Sequence, residues 1–248
     1  MITEEKGLEY LKLNDIFSKQ KYFNVLSSNG YNKTQNSFFV SFQKLINDGF
    51  VQRVGRNAYQ IAKSNLHYYE HSYSNLANNI SNCIKNNHNY MNYIIFETTQ
   101  LNEFINHQIS RNTIFVFVDG DVIDFAFNTL KDTFNNMVML SPSIKEFNQY
   151  RSEDMIVLRK LVSESPQNLN KTWQITLEKM LVDIMAEAIL KEILAESEYK
   201  YIYETAFNKY IIDESKMFRY ARRRGIAEKI RDFIEKETIV SLKVEAKK

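Results

Sequence analysis

The sequence predicts a mixed α+β fold in three parts: a winged helix-turn-helix at 1-63, a small α/β domain at 64-165 and a helical C-terminal part at 166-248. Three observations predict it. The amphipathic stretch "NKTQNSFFVSFQKLINDG" leads directly into "GFVQRVGRNAYQI", where apolar and polar residues alternate on either side of Gly55-Arg56-Asn57. Short β-rich runs then alternate with helix-like stretches. After Pro166 the apolar residues fall into helical stripes.

In the first part, Ile16, Phe17, Phe23, Val25 and Leu26 supply the apolar side of one or two helices closed by Asn29-Gly30. The next helix carries Phe38, Phe39, Phe42, Leu45 and Ile46 on one stripe and Asn36, Ser37, Val40, Ser41 and Lys44 on the opposite face. Asn32 or Thr34 caps its start and Gly49 ends it. Phe50-Val54 and Ala58-Ile61 form the strands of a basic hairpin, the wing. In such a module the last helix enters the major groove, where small polar side chains approach base edges, while basic residues at its flanks meet phosphates. The expected DNA-binding set is Lys33, Asn36, Ser37, Ser41, Lys44, Arg53, Arg56 and Asn57. A winged unit that only docks other proteins is the alternative.

In the middle, "NYIIFE", "NTIFVFVDG", "NMVMLSP" and "DMIVLRKLV" read as strands, and "TTQLNEFINHQ", "DVIDFAFNTLKDTF" and "SPSIKEFNQY" as helices. The alternation predicts a largely parallel sheet buried on both faces. Asp119, Asp121 and Asp124 at a strand end would suit a two-metal nuclease or nucleotidyltransferase. The companions of such a site are missing, both the Gly-Ser pair of nucleotidyltransferases and a Glu-x-Lys strand. Asp119-Gly120 is read instead as a turn and Asp121 as a helix cap. "HYYEH", from His67 to His71, has the spacing of an inverted zinc-peptidase motif but lacks a third ligand, so it is read as a solvated linker helix. Six glycines in the whole chain leave no glycine-rich nucleotide cradle. No catalytic residue, metal or cofactor is assigned.

"SESPQNLNKTW" is the most linker-like stretch. Beyond it, "ITLEKMLVDIMAEAILKEILAESE" places Leu177, Leu181, Ile184 and Ala188 on one stripe, widened by Met180, Met185 and Ile193. "EYKYIYETAFNKYII", "DESKMFRYARRRG" and "IAEKIRDFIEKE" follow as helices, the second capped by Asp213 and stopped by Gly225, and "EAKK" ends the chain as a frayed tail. Arg219, Arg222, Arg223 and Arg224 form the densest positive cluster, suited to phosphates or to a partner's carboxylates, or else to a solvated helix end.

Bulk properties limit the function classes. A hydrophobic content of 44% with 13% aromatics supplies buried cores and excludes disorder throughout. The net charge of +2 hides segregation: residues 1-63 carry nine Lys/Arg against five Asp/Glu, residues 201-248 twelve against eight, and the middle 11 against 17. Any polyanion partner is therefore sought at the basic ends. The single Cys83 excludes an intrachain disulfide and fits a reducing compartment. "MITEEKGLEY" lacks the apolar core of a secretion signal, and no apolar run reaches the roughly 20 residues that a bilayer requires, so a cytoplasmic protein with no membrane partner is expected. The abundance of Asn, Lys, Ile, Tyr and Phe is that of an AT-rich bacterial genome, and "NNISNCIKNNHNY" is biased composition rather than a prion-like tract.

Taken in order, "GFVQRVGRNAYQI", "TTQLNEFINHQ", "VSESPQ", "ITLEKMLVDIMAE" and "MFRYARRRG" resemble the AbiEi-like antitoxins of bacterial type IV (AbiE) toxin-antitoxin systems, in the branch encoded beside AbiEii-type nucleotidyltransferase toxins. The resemblance implies a non-enzymatic autorepressor whose winged helix binds inverted repeats in its own operator. It also implies a C-terminal part that counters the toxin without stable toxin binding, as part of phage defence. The recognition helix has no arginine, so specific DNA binding is expected to need a homodimer or several operator repeats.

Overall fold

The computed structural model describes residues 2–12, 15–62, 66–168 and 171–243. The tail "EAKK" and the boundary expected at 63/64 lie outside these residues. The fold is mixed α+β, with a helical C-terminal part. The chain divides into two compact units, residues 1–69 with 206–216 and 241–248, and residues 70–205 with 217–240. Residues beyond Pro166, expected as a part of their own, are thus shared between both. The reason is local. Backbone bonds from His67 N to Lys209 O and from Ile211 N to His67 O draw 209–211 into the first unit, while the helices on either side bury their apolar faces in the second.

The first unit is a winged helix. After a short 3-10 turn, Lys6–Tyr10, come α1 (Lys19–Ser28), α2 (Gln35–Asn47), β1 (Val51–Gly55) and β2 (Ala58–Ile61). Ser18 caps α1 by accepting from Lys21 N, and Thr34, one of the two expected caps, accepts from Ser37 N. Gly49, at φ +79°, takes the left-handed conformation that turns the chain from α2 into β1. The strands are antiparallel, and Phe17 adds a third short rung by exchanging two backbone hydrogen bonds of 2.8 Å with Tyr59. Tyr22, Leu26, Phe38, Phe42, Leu45, Val51 and Tyr59 fill the core. The buried stripe of α2 is narrower than expected: Phe39 is exposed at its edge, with the Lys19 ammonium 5.8 Å from its ring. Ile16, expected to be buried with α1, lies ahead of that helix and is exposed as well.

The second unit is built on a four-stranded sheet. Its strands are β3 (Tyr93–Glu97), β4 (Thr113–Val118), β5 (Val138–Leu140) and β6 (Met155–Lys160), in the order β3-β4-β6-β5. β4, β6 and β5 run parallel and β3 antiparallel, so the sheet is largely parallel as expected. One face packs on α3 (Asn75–Asn87) and α4 (Ile123–Phe134) through Ile95, Ile114, Val116, Ile156 and Leu158 against Ile80, Ile84, Ala126 and Leu130. The other face carries Ile94, Phe96, Phe115, Phe117 and Val157, all buried. The outer edge of β3 is closed where Ile95 N bonds to Trp173 O at 2.7 Å, which protects its backbone from pairing with another chain. "SPSIKEFNQY" gives α5 (Ile144–Tyr150), capped reciprocally by Ser143 and Glu146. "TTQLNEFINHQ" is not an α-helix: only a 3-10 segment, Thr98–Glu103, forms, because Gln100 bonds back to Glu97 N and Asn102 both accepts from Ile109 N and donates to Ile109 O.

The C-terminal helices are α6 (Leu177–Ala186), α7 (Ala188–Ile193), α8 (Glu198–Lys209), α9 (Glu214–Arg223) and α10 (Ala227–Glu237). The single stripe read across α6 and α7 is broken at Glu187, whose backbone is extended at ψ 121°. The break turns Ala188 out to solvent and brings Ile189, Leu190 and Leu194 inside. A set of charges accounts for it. The Glu187 carboxylate lies 2.8 Å from Arg159 and 3.8 Å from Arg224, and Arg224 lies 3.0 Å from Asp183. Asp183 in turn bonds Lys179 at 2.6 Å and accepts from the Tyr220 hydroxyl at 2.8 Å. Lys179, Asp183 and Tyr220 are fully buried, and the Lys179 ammonium sits 3.8 Å from the centre of the Phe117 ring. Among the described residues no helix is long and apolar enough to cross a membrane.

Removing one member of this set strands the others in the interior. Asp183→Ala is expected to cost about 3–5 kcal/mol in urea denaturation, and Lys179→Met combined with Asp183→Leu markedly less, because no buried ammonium is then orphaned and Arg224 keeps Glu187.

Candidate nucleic-acid interface

α2 and the wing present the surface that could meet DNA. Asn36, Ser37, Val40 and Lys44 project from the exposed side of α2, and Val40 is 75% exposed. The side chains of Asn36 and Lys44 have no protein partner among the described residues. At the wing tip Arg56 is exposed and Asn57 adopts φ +52°, the left-handed conformation of a tight turn, which Asn tolerates better than most residues. The Asn57 side-chain Oδ1 accepts from Lys19 N at 3.3 Å, so the tip is fixed to the first turn of α1.

Three residues of the expected set are engaged elsewhere. Lys33 is bound to Glu4 at 2.9 Å, and the Ser41 hydroxyl also hydrogen-bonds that carboxylate. Arg53 donates to Gly55 O at 3.1 Å and lies 3.6 Å from Asp213. The wing therefore holds one of its two arginines against itself, which leaves Arg56 and Lys44 as the free cations of the nominated set. Sequence reading placed Val40 on this face without nominating it. An apolar residue on the polar side of an amphipathic helix was the signal.

Glu4 shows how the charges of this unit are balanced. Its side chain is buried, which by itself raises a carboxyl pKa, yet hydrogen bonds from Tyr31 at 2.6 Å and from Lys33 bring it down to about 2. Burial, with the nearby Glu4 charge, pushes the Tyr22 and Tyr31 hydroxyls well above the usual tyrosine range, which keeps both protonated as donors.

The remaining candidates separate in the same way. In the Arg cluster, Arg222 is exposed, Arg219 lies 3.8 Å from Glu164, and Arg223 donates to the Ser163 hydroxyl at 2.5 Å. Arg224 is not available to a partner: its side chain is only 14% exposed and points at Asp183 and Glu187. "HYYEH" is no helix. His67 makes a bridge with Tyr210, and His71 faces Glu97 at 3.9 Å, so the histidines do not share a helical face. Burial lowers the His71 pKa against the opposing pull of Glu97 and Glu103. Asp119, Asp121 and Asp124 do not gather into a metal-holding group, and among the described residues no such group of His, Cys, Asp or Glu occurs. Asp119 opens the turn expected of it, and α4 begins at Ile123 with Val122 at its cap, so Asp121 is not the cap.

A family model described as "Family of unknown function (DUF6577)" matches residues 37–240. The chain belongs to this family. The DUF6577 match begins inside α2 and runs through both compact units. A search of curated proteins found no match. Among solved structures, the crystal structure of the RV2827C protein from Mycobacterium tuberculosis is similar at 9% identity and a TM-score of 0.26, over 96% of this chain and 81% of that chain. At that score the likeness carries no argument about fold or function.

Because the folded Glu4 pKa lies below its ordinary 4.5, the contribution of Glu4 to stability is present at neutral pH and is lost as the pH falls from about 4.5 toward about 2. Glu4→Gln is expected to flatten the acid limb of a thermal-stability profile between pH 2 and pH 4.5, read by near-ultraviolet circular dichroism.

Proposed function

We propose that this DUF6577 protein is a non-enzymatic, DNA-binding transcriptional autorepressor and the antitoxin of a type IV toxin-antitoxin system, countering a nucleotidyltransferase toxin. The observation that carries the DNA part is the open, mostly uncharged face of α2, with Asn36, Ser37 and Val40 exposed beside Lys44. Small polar side chains reach base edges without steric conflict, and an exposed Val offers a methyl contact to thymine. Arg56 at the wing tip supplies a phosphate contact. Two free cations make a small electrostatic footprint, so a homodimer on inverted repeats is the state in which specific binding reaches useful affinity. The antitoxin part rests on the ordered sequence resemblance alone.

The occupation of Lys33 by Glu4 and of Arg53 by Asp213 favours a second reading, in which the winged unit docks a protein and carries no DNA. Promoter binding separates the two.

Binding to a fragment carrying inverted repeats upstream of the gene is expected to weaken with salt, and Arg56→Ala with Lys44→Ala to weaken it further. If each cation neutralises one phosphate, the double variant lowers the slope of log affinity against log salt by about 2 in fluorescence anisotropy. An unchanged slope assigns the contact to another surface. Retention of a partner protein with no promoter binding supports the docking reading.

A further inference from the structure

Arg111 and Arg151 enter the sheet of the second unit from the same end. β4 and β6 run parallel with Thr113 opposite Met155; Arg111 lies just ahead of β4, and Arg151 follows α5 in the turn that leads into β6. The Arg151 guanidinium sits 5.3 Å from the centre of the buried Phe147 ring, and its Nε is shielded from solvent without a hydrogen-bond partner. Neither arginine forms an ion pair among the described residues, although Glu153 and Asp154 follow Arg151 in the same turn. Glu97, the buried carboxylate at the end of β3, is already held by Asn112 at 3.2 Å and by Ser74 N at 2.9 Å.

Arg159, Arg224 and Arg231, whose side chains are also mostly buried, each meet a carboxylate, whereas Arg151 meets none among the described residues. Burial, and after it the positive charge of Arg111, hold the Arg151 guanidinium below the usual arginine range. Two guanidinium groups at one end of the sheet without a counter-charge repel each other, and a multiply charged, tetrahedral oxyanion bound across them relieves that repulsion with charge-assisted hydrogen bonds.

We propose that Arg111 and Arg151 form a binding site for a phosphate group at the amino-terminal end of the parallel strands. The site lies outside α2 and the wing and does not rest on the DNA-binding reading. The phosphate could arrive free or as part of a nucleotide, and exposed Tyr150, next to Arg151, offers an aromatic ring to a base in the second case.

The test is titration calorimetry on the full chain at low ionic strength with inorganic phosphate and, separately, with a nucleoside 5′-monophosphate. Saturable binding is expected, weakened about tenfold or more by Arg111→Gln and by Arg151→Gln, a loss of about 1.4 kcal/mol. Arg151→Lys, which keeps the charge but not the fork, is expected to fall between wild type and Arg151→Gln. If Arg151→Gln does not fold, exposed Arg111 still carries the test. Tighter binding of the nucleotide identifies it as the source, and equal binding identifies free phosphate. Arg56→Ala with Lys44→Ala is expected to bind phosphate normally, which separates this site from the DNA reading. No saturable binding of either ligand, or unchanged binding by both Gln variants, overturns the proposal.

Discussion

A carboxylate taken out of water has to be met by cations or donors, and that requirement organises both units of this chain. In the first unit Glu4 collects Tyr31, Lys33 and Ser41. In the second, Asp183 and Glu187 collect Lys179, Tyr220, Arg224 and Arg159. Each ion pair among these engages a basic residue that charge alone would count as available to a ligand. The interaction that holds the fold together thus also selects which cations remain for a ligand.

In the second unit this has a structural consequence. α6 lies almost wholly inside, with Lys179 and Asp183 one turn apart on the same side and Met180, Leu181 and Ile184 buried around them. A helix so enclosed is expected to be apolar all round, and a fully buried ion pair fits only because Tyr220, Arg224 and the face of the Phe117 ring share its charge. Glu187 continues the set and ends α6, since an extended backbone there keeps its carboxylate between Arg159 and Arg224. Local helix propensity is overridden by the need to satisfy two arginines.

In the first unit the same rule shapes the candidate interface. The aromatic core of Tyr22, Phe38, Phe42 and Tyr59 fixes α2 with its uncharged polar face outward, and the bridge from Phe17 to Tyr59 stiffens the wing at its base. Lys33 and Arg53, which count as phosphate contacts when only charge is read, serve the unit's own carboxylates. What is left is a face of small side chains flanked by few cations; in the proposed DNA-binding role its selectivity would come from shape and base-edge chemistry more than from charge.

The sequence by itself determined where most elements lie: both helices of the winged unit, the wing, all four sheet strands, α4 and α5 follow from apolar periodicity, turn residues and caps, whereas α3 lay hidden in the Asn-rich stretch read as biased composition. These are local signals, because the period of exposure and the choice of Thr34, Gly49 or Gly225 are set by neighbours in the chain. It also placed Asn36, Ser37 and Lys44 on one exposed face of α2. Only the tertiary structure decided the fate of the charges. Partners such as Glu4 and Lys33, Arg53 and Asp213, or Asp183 and Arg224 lie far apart along the chain, and ion pairing depends on distance in space and on desolvation, neither of which has a period that a sequence displays.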